Sequence, residues 1–409
     1  MKISAKTYIY LWSIIIISEF LLLYDSHIFS MDWNMIRLPF VGLGILLLIK
    51  NISSNGGLIR RNNPVLLIEI LWGGYIILFG CILINPQMAS FTKSNTMAQA
   101  VSFLITVVVA GVVRQYKLRN LFIKVSFFTI SFYMFFHFIT YISEVNPAAF
   151  MYVLSNNERT RTALGFGHPN ALGNICLCQI ILYVLYRKIY KHTGVVSKLM
   201  LCMGSVMLLC SASRNAICGL CVFVVTYMLF NIRKFGFSEK TISLIKIFSV
   251  TLIILIVVVS VIGTSEGDIQ SINQLLLESN RNWLFEVAIP AYIKSGRIWI
   301  GLGYVANHIY GTNQTPYYTL FMDNAYIYHL VTTGIIGISI IVIIIFNIWK
   351  TIKKNQGVER EIILSIFVAH LFQCLFEDSL FSGIVSCFIY MILYLSADLD
   401  EERGDNIEK

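Results

Sequence analysis

The chain has 409 residues, of which 57% are hydrophobic and only 13% charged. That balance excludes a soluble globular domain, which carries about twice that share of charge, and equally a disordered chain. The net charge of +9 follows from the membrane topology set out next, so nucleic-acid binding is not implied.

A bilayer core needs about 20 mostly apolar residues per helix. Runs of that order recur at 8–24, 35–50, 64–84, 97–113, 120–142, 169–187, 197–212, 215–232, 242–263, 324–349, 361–377 and 379–396. They predict an all-α, polytopic integral membrane protein of about twelve transmembrane helices. The first run has polar flanks and no small-residue cleavage site, so it reads as a span and not as a signal peptide. With the N-terminus inside, all but eight of the 31 Lys and Arg fall on cytoplasmic segments, as the positive-inside rule requires. The outer eight are Arg37, Lys93, Arg159, Arg161, Arg214, Arg281, Lys294 and Arg297. Both termini are then cytoplasmic.

Residues 1–397 are expected to form one helical transmembrane domain, followed by a charged cytoplasmic tail at 398–409. One large external loop, 264–323, separates spans nine and ten. Inside it, Ile269–Leu277 and Trp283–Ile293 have apolar residues at helical spacing and are expected to lie at the interface. Gly301-Leu-Gly303 marks a tight turn, and Tyr304, Tyr310, Tyr317, Tyr318 and Phe321 make an aromatic stretch. No internal repeat is visible, which argues against transporters built from duplicated halves.

Basic residues on the outer side run against the usual bias, and a negatively charged lipid headgroup would explain them. Guanidinium groups stay charged and grip phosphate bidentately, so several converging on one pocket suit a diphosphate. Arg159 and Arg161 precede span six, Arg281 and Arg297 lie in the large loop, and Arg214 sits in the short Ser211-Ala-Ser-Arg214-Asn215 turn. A turn that short holds its charge at the membrane edge. His168-Pro169-Asn170 reads as a helix start, with Pro at the first helical position and His168 as cap or substrate contact. Gly165 and Gly167 allow unusual dihedrals. Asp323-Asn324 stands where the loop re-enters the membrane, followed by Tyr326. Asp323 has two readings there, an N-cap or a carboxylate that orients or deprotonates a sugar hydroxyl.

Other features carry less. His329 reads as an interhelical histidine, and Glu19, Glu69, His137 and His370 are weaker candidates still. Cys218-Gly-Leu-Cys221 has metal or redox spacing but no His or Asp beside it, and reads as helix packing. Asp398-Leu-Asp400 mimics a nucleotide-sugar metal motif inside an acidic tail and is discounted. No zinc spacing, dinucleotide fingerprint, Walker loop or serine-hydrolase elbow occurs; no metal or cofactor is expected.

Three stretches together resemble the O-antigen polymerase (Wzy) and O-antigen ligase superfamily of bacterial polysaccharide assembly. They are Arg161-x-x-x-Gly165-x-x-His168-Pro-Asn170-x-x-Gly173, then Ser211-x-Ser213-Arg214, then Arg281-x-Trp283 through Gly301-x-Gly303 to Asp323-Asn-x-Tyr326 and Gly334-x-x-Gly337. The resemblance covers roughly 155–340. It implies a metal-independent glycosyltransferase of the helical, GT-C-like type, acting on undecaprenyl-diphosphate-linked oligosaccharides outside the cytoplasmic (inner or plasma) membrane. A flippase and a chain-length regulator of the same pathway are the implied partners, besides membrane lipid. In this family arginines hold the diphosphate leaving group; the matching positions are Arg214 and Arg281, with Arg161 third. The ligases carry a His before the Asn of the return helix, where this chain has Asp323, and the departure suits a polymerase better than a ligase. The expected function is polymerisation of repeat units for capsule, exopolysaccharide or O-antigen, with a ligase or a lipid-linked oligosaccharide flippase as alternatives. Asp323, Arg214 and Arg281 are the expected catalytic set. Arg159, Arg161, His168, Asn170, Arg297, Asn324 and Tyr326 are the expected substrate contacts.

Overall fold

The computed structural model describes residues 4–24, 34–55, 64–84, 89–149, 161–191, 194–231, 288–304, 324–354, 359–377, 380–381 and 385–396. Eight helices come first: α1 (Ala5–Tyr24), α2 (Asn34–Asn55), α3 (Pro64–Ile77, extended by a π-helical turn Leu78–Ile82), α4 (Ala89–Gln115), α5 (Arg119–Thr140), α6 (Pro169–Tyr190), α7 (Val195–Ser211) and α8 (Arg214–Asn231). A short α9 (Ile289–Lys294) precedes α10 (Ala325–Lys354), α11 (Arg360–Gln373) and α12 (Val385–Leu395). No strand occurs among the described residues. Among the described residues, six stretches are long and apolar enough to cross a membrane: Pro64–Ile82, Thr96–Gln115, Arg119–Thr140, Pro169–Tyr190, Arg214–Asn231 and Ala325–Lys354. The protein is an all-helical, membrane-embedded bundle.

Expected span nine and most of the large loop lie outside the described residues. The last two expected spans are realised as helices of 14 and 11 residues. The 11-residue α12 is roughly 16 Å long, about half a bilayer core. Every one of its side chains is buried, so it is a core helix wrapped by its neighbours, as an element apolar on all faces must be. α6 is nearly as enclosed, with α5, α7 and α8 packed around it.

α5 runs about 33 Å and separates two polar ends. At its start Arg119 pairs with Glu359 at 3.1 Å, both side chains 8% exposed, and donates to Leu393 O at 3.2 Å. Arg114 of α4 reaches Leu395 O at 3.4 Å. The final carbonyls of α12 thus receive two cations, which suits the negative end of a helix dipole. At the other end of α5, His137 Nδ1 bonds with Leu164 O at 3.0 Å, fastening the segment that leads into α6.

α10 is broken at Gly334, whose dihedrals (φ 68°, ψ −166°) no helix contains. The break leaves four backbone groups without helical partners, and the segment 298–303 takes all four. Leu302 N and Gly303 N donate to Val331 O and Thr332 O at 2.8 and 3.1 Å, while Ile335 N and Ile336 N donate to Ile298 O and Trp299 O at 3.0 and 3.1 Å. Each such group left buried and unpaired would cost about 1–3 kcal/mol, so break and splint require one another. Both crossing points are glycines because a Cβ on Gly301 would lie 2.3 Å from Thr332 backbone, and one on Gly334 would lie 2.5 Å from Trp299 backbone. The Gly301-x-Gly303 turn expected in the loop is therefore a backbone docked into α10.

Replacing Gly334 by Ala places a side chain in a glycine-only conformation, a strain of about 1–3 kcal/mol before the backbone clash is added. Gly74, with open space around its Cβ position, is the matched control. Heating detergent-purified G334A and G74A and following the monodisperse gel-filtration peak should show early loss for G334A alone; equal melting would remove the splint from the account.

Candidate functional site

The polar end opposite Arg119 is assembled from three connections. The first is residues 161–168. Leu164, Gly165 and Gly167 all adopt positive φ, which coils the chain tightly enough to drive Leu164 and Phe166 into the core. Phe166 is fully buried against Phe20, Tyr133 and His137. The segment then enters α6 with His168 as N-cap, its Nδ1 accepting from Asn170 N at 3.2 Å, and Pro169 at the first helical position. His168 acts as the cap, one of its two expected roles.

The second connection is the turn Ser211–Arg214. Ala212 is left-handed (φ 45°) and buried. Ser211 Oγ accepts from Ser213 N at 3.2 Å, and Ser213 Oγ accepts from Ala216 N at 3.4 Å, capping α8. This turn sits directly on α6, because a Cβ on Gly173 would be 2.5 Å from Ser213 Cβ. Gly173 thus brings the α6 N-terminus and Arg214 together.

The third is the end of α11. Glu377 N closes the last turn on Gln373 O at 3.0 Å, and residues 374–377 receive the start of α10. Asn324, the residue before α10, accepts from Ile327 N at 3.0 Å and donates to Leu375 O at 3.0 Å. Tyr326 donates to Leu371 O at 2.8 Å. Asn324 and Tyr326 therefore lock α10 to α11, a positioning role.

Across these connections runs a polar ladder. Asn170 donates through Nδ2 to Glu377 Oε1 at 2.9 Å, and one turn further in Gln373 donates to Asn174 Oδ1 at 3.0 Å. Asn170 and Asn174 are four apart on α6; Gln373 and Glu377 are four apart at the end of α11. The same Asn170 amide takes Arg161 on its other side, where the guanidinium donates to Oδ1, and Ser213 Oγ reaches that oxygen at 3.4 Å. Arg161 Nε also donates to Ser211 O at 3.3 Å.

Two arginines lie close together at this end. Arg161 is partly buried, and burial lowers its pKa most; the neighbouring Arg214 lowers it further, while Glu377 acts in the opposite direction. Both guanidiniums remain charged. The N-termini of α6, α8 and α10 point their partial positive charge to the same end. Beside Arg214, the amide of Asn215 is 8% exposed and neither of its polar atoms has a hydrogen-bond partner among the described residues. A buried amide in that state has bonding capacity to offer a ligand.

The structure thus brings together Arg161, Asn170 and Arg214, with His168 capping and Asn324 and Tyr326 bracing. Arg297 is committed elsewhere, its Nε donating to Gly301 O at 2.9 Å in the splint of α10. Arg159, Arg281 and Asp323 lie outside the described residues. Glu377, Asn174 and Gln373 were not among the expected residues. Their signal was present as amide and carboxyl side chains spaced four apart in apolar spans, a pattern that marks interhelical hydrogen bonding. No group of His, Cys, Asp and Glu able to hold a metal occurs among the described residues.

Fold and site together define a class: an all-helical, membrane-embedded protein with an arginine pair gathered at one end of its bundle. No protein-family model and no curated protein matches the chain.

The Asn174–Gln373 rung should show a coupling of roughly 0.6–1.7 kcal/mol in a double-mutant cycle. The cycle compares unfolding of N174A, Q373A and the double variant in mixed micelles. Strictly additive losses would mean the two amides stabilise the bundle independently.

Proposed function

We propose that this protein is a polysaccharide polymerase of the O-antigen polymerase type, joining undecaprenyl-diphosphate-linked oligosaccharide repeat units at the outer face of the cytoplasmic membrane. The observation that carries the reading is the convergence of Arg161 and Arg214 on one amide-lined end of the bundle, close enough for Arg214 to depress the pKa of Arg161. Two adjacent guanidiniums and three helix N-termini form a site for a multiply charged anion. In the twelve-span topology with cytoplasmic termini expected from the sequence, this end lies outside, away from nucleotide sugars, which leaves a lipid-borne diphosphate as the sensible activated donor.

In this mechanism the arginines bind the diphosphate and stabilise the negative charge that grows on it as the glycosidic bond breaks. The hydroxyl of the incoming repeat unit attacks the anomeric carbon, and its proton passes to a carboxylate, for which Asp323 is the sequence candidate. Arg281 of the large loop and Arg159 are the sequence candidates for further diphosphate contacts, with Asn170 beside Arg161. The growing glycan is thereby transferred to the non-reducing end of the next lipid-linked unit, and undecaprenyl diphosphate leaves. A flippase supplies the repeat units and a chain-length regulator sets the number joined.

Arg214→Ala and Arg281→Ala should each lower polymerisation by roughly 100-fold, the scale of losing one preorganised charge contact, while membrane insertion is unchanged. Lipid-linked single repeat units then accumulate in cells. Wild-type chain lengths in both variants would defeat the diphosphate role. Asp323→Asn should depress turnover more than donor affinity; if steady-state kinetics show turnover intact, Asp323 is only a helix cap. Purified protein given lipid-linked units should yield longer glycans, whereas vesicle assays showing movement without elongation would indicate a flippase.

A further inference from the structure

We infer that Glu377, acting through Asn170, is a built-in counter-anion for Arg161, and that a bound diphosphate takes over its role. The inference rests on the diphosphate reading above and concerns how the same site behaves when empty. Two like charges gathered in a partly buried place repel strongly, and a site designed for an anion must tolerate the anion's absence. Glu377 supplies negative charge from the end of α11, on the far side of Asn170 from Arg161.

The connection is a relay through one side chain. Asn170 Oδ1 accepts from Arg161, and Asn170 Nδ2 donates to Glu377 Oε1 at 2.9 Å. The amide dipole is oriented as the two charges demand, oxygen to cation and NH2 to anion. Glu377 also raises the pKa of Arg161, opposing Arg214, so its field reaches Arg161.

A diphosphate outcompetes this arrangement on chemical grounds. It carries more charge than one carboxylate, and its oxygens match the fork of each guanidinium. When it binds, Arg161 turns from Asn170 to phosphate oxygens, and the amide and carboxylate lose their cation. Glu377 therefore weakens diphosphate binding while protecting the empty site. The ligand chemistry is a diphosphate, whether lipid-borne or free.

The test measures affinity on the full-length protein in detergent, by calorimetry and by ligand-induced thermal shift. One arm uses inorganic pyrophosphate and the other undecaprenyl diphosphate in mixed micelles. Glu377→Gln should bind at least one of these tighter than wild type by roughly 5-fold or more, the low end of ordinary site coupling. Glu377→Asp keeps the charge, draws it back by one methylene, and should give a smaller gain of the same sign. The arm showing the gain identifies the source of the diphosphate, free or lipid-borne. Unchanged or weaker binding by both variants in both arms, with binding still lost in Arg214→Ala, would overturn the counter-anion role and leave the arginine site standing. If wild type and Arg214→Ala bind neither probe, the diphosphate reading fails and the exchange falls with it.

Discussion

Within an apolar bundle no water is present to receive a stray N–H, carbonyl or charge, so each must find its partner inside the chain. The shape of this protein is largely the record of where those partners are. α10 can break at Gly334 only because 298–303 supplies two donors and two acceptors at the gap. α12 can end deep in the bundle because Arg114 and Arg119 meet its last carbonyls. Three helices start at the opposite end because His168, Ser213 and Asn324 cap them.

The same accounting separates structural arginines from the pair assigned a function. Arg37 is matched by Glu19 at 2.8 Å, and Arg119 by Glu359 at 3.1 Å, each pair well buried. Arg297 is spent on a carbonyl of its own turn. Arg161 and Arg214 lie beside one another, so that Arg214 lowers the pKa of Arg161, and the relay through Asn170 brings the carboxylate of Glu377 toward Arg161. Under the proposed reading, the pair serves an anion that arrives from outside the chain.

How much of this the sequence discloses depends on the range of each interaction. Helices and their starts are local, and apolar runs, Pro169 and Asn324 report them within a few residues. The unusual dihedrals at Gly165 and Gly167 are equally local, and both glycines have positive φ. The confinement of Arg214 could be inferred from turn length. Partnerships between distant segments left weaker traces: Gly301 reads as a turn residue until Gly334 is seen against it, and Glu377 reads as the end of a span. The last two helices are shorter than the expected spans, since α11 ends at Gln373 although apolar residues recur beyond it at Leu375, Phe376, Leu380 and Phe381. Apolar composition reports burial, and a buried core helix such as α12 has the same composition as a lipid-facing one.

The placement of the site at helix ends, braced from several directions, bears on what it can do. A loop that carried Arg161 freely would have to be ordered by each ligand, and that entropy would be subtracted from binding. Here Phe166 anchors the loop in the core, Gly173 seats the Ser211–Arg214 turn on α6, and the Asn170–Glu377 and Asn174–Gln373 rungs hold α6 to α11. Asn324 and Tyr326 tie α10 into the same frame, while the break at Gly334 frees that first part of α10 from the direction of its longer second part. The backbone that carries the arginines is thus held in place by the fold itself. Under the proposed reading, a backbone fixed in this way lets an anion bind without the loop having to be ordered first.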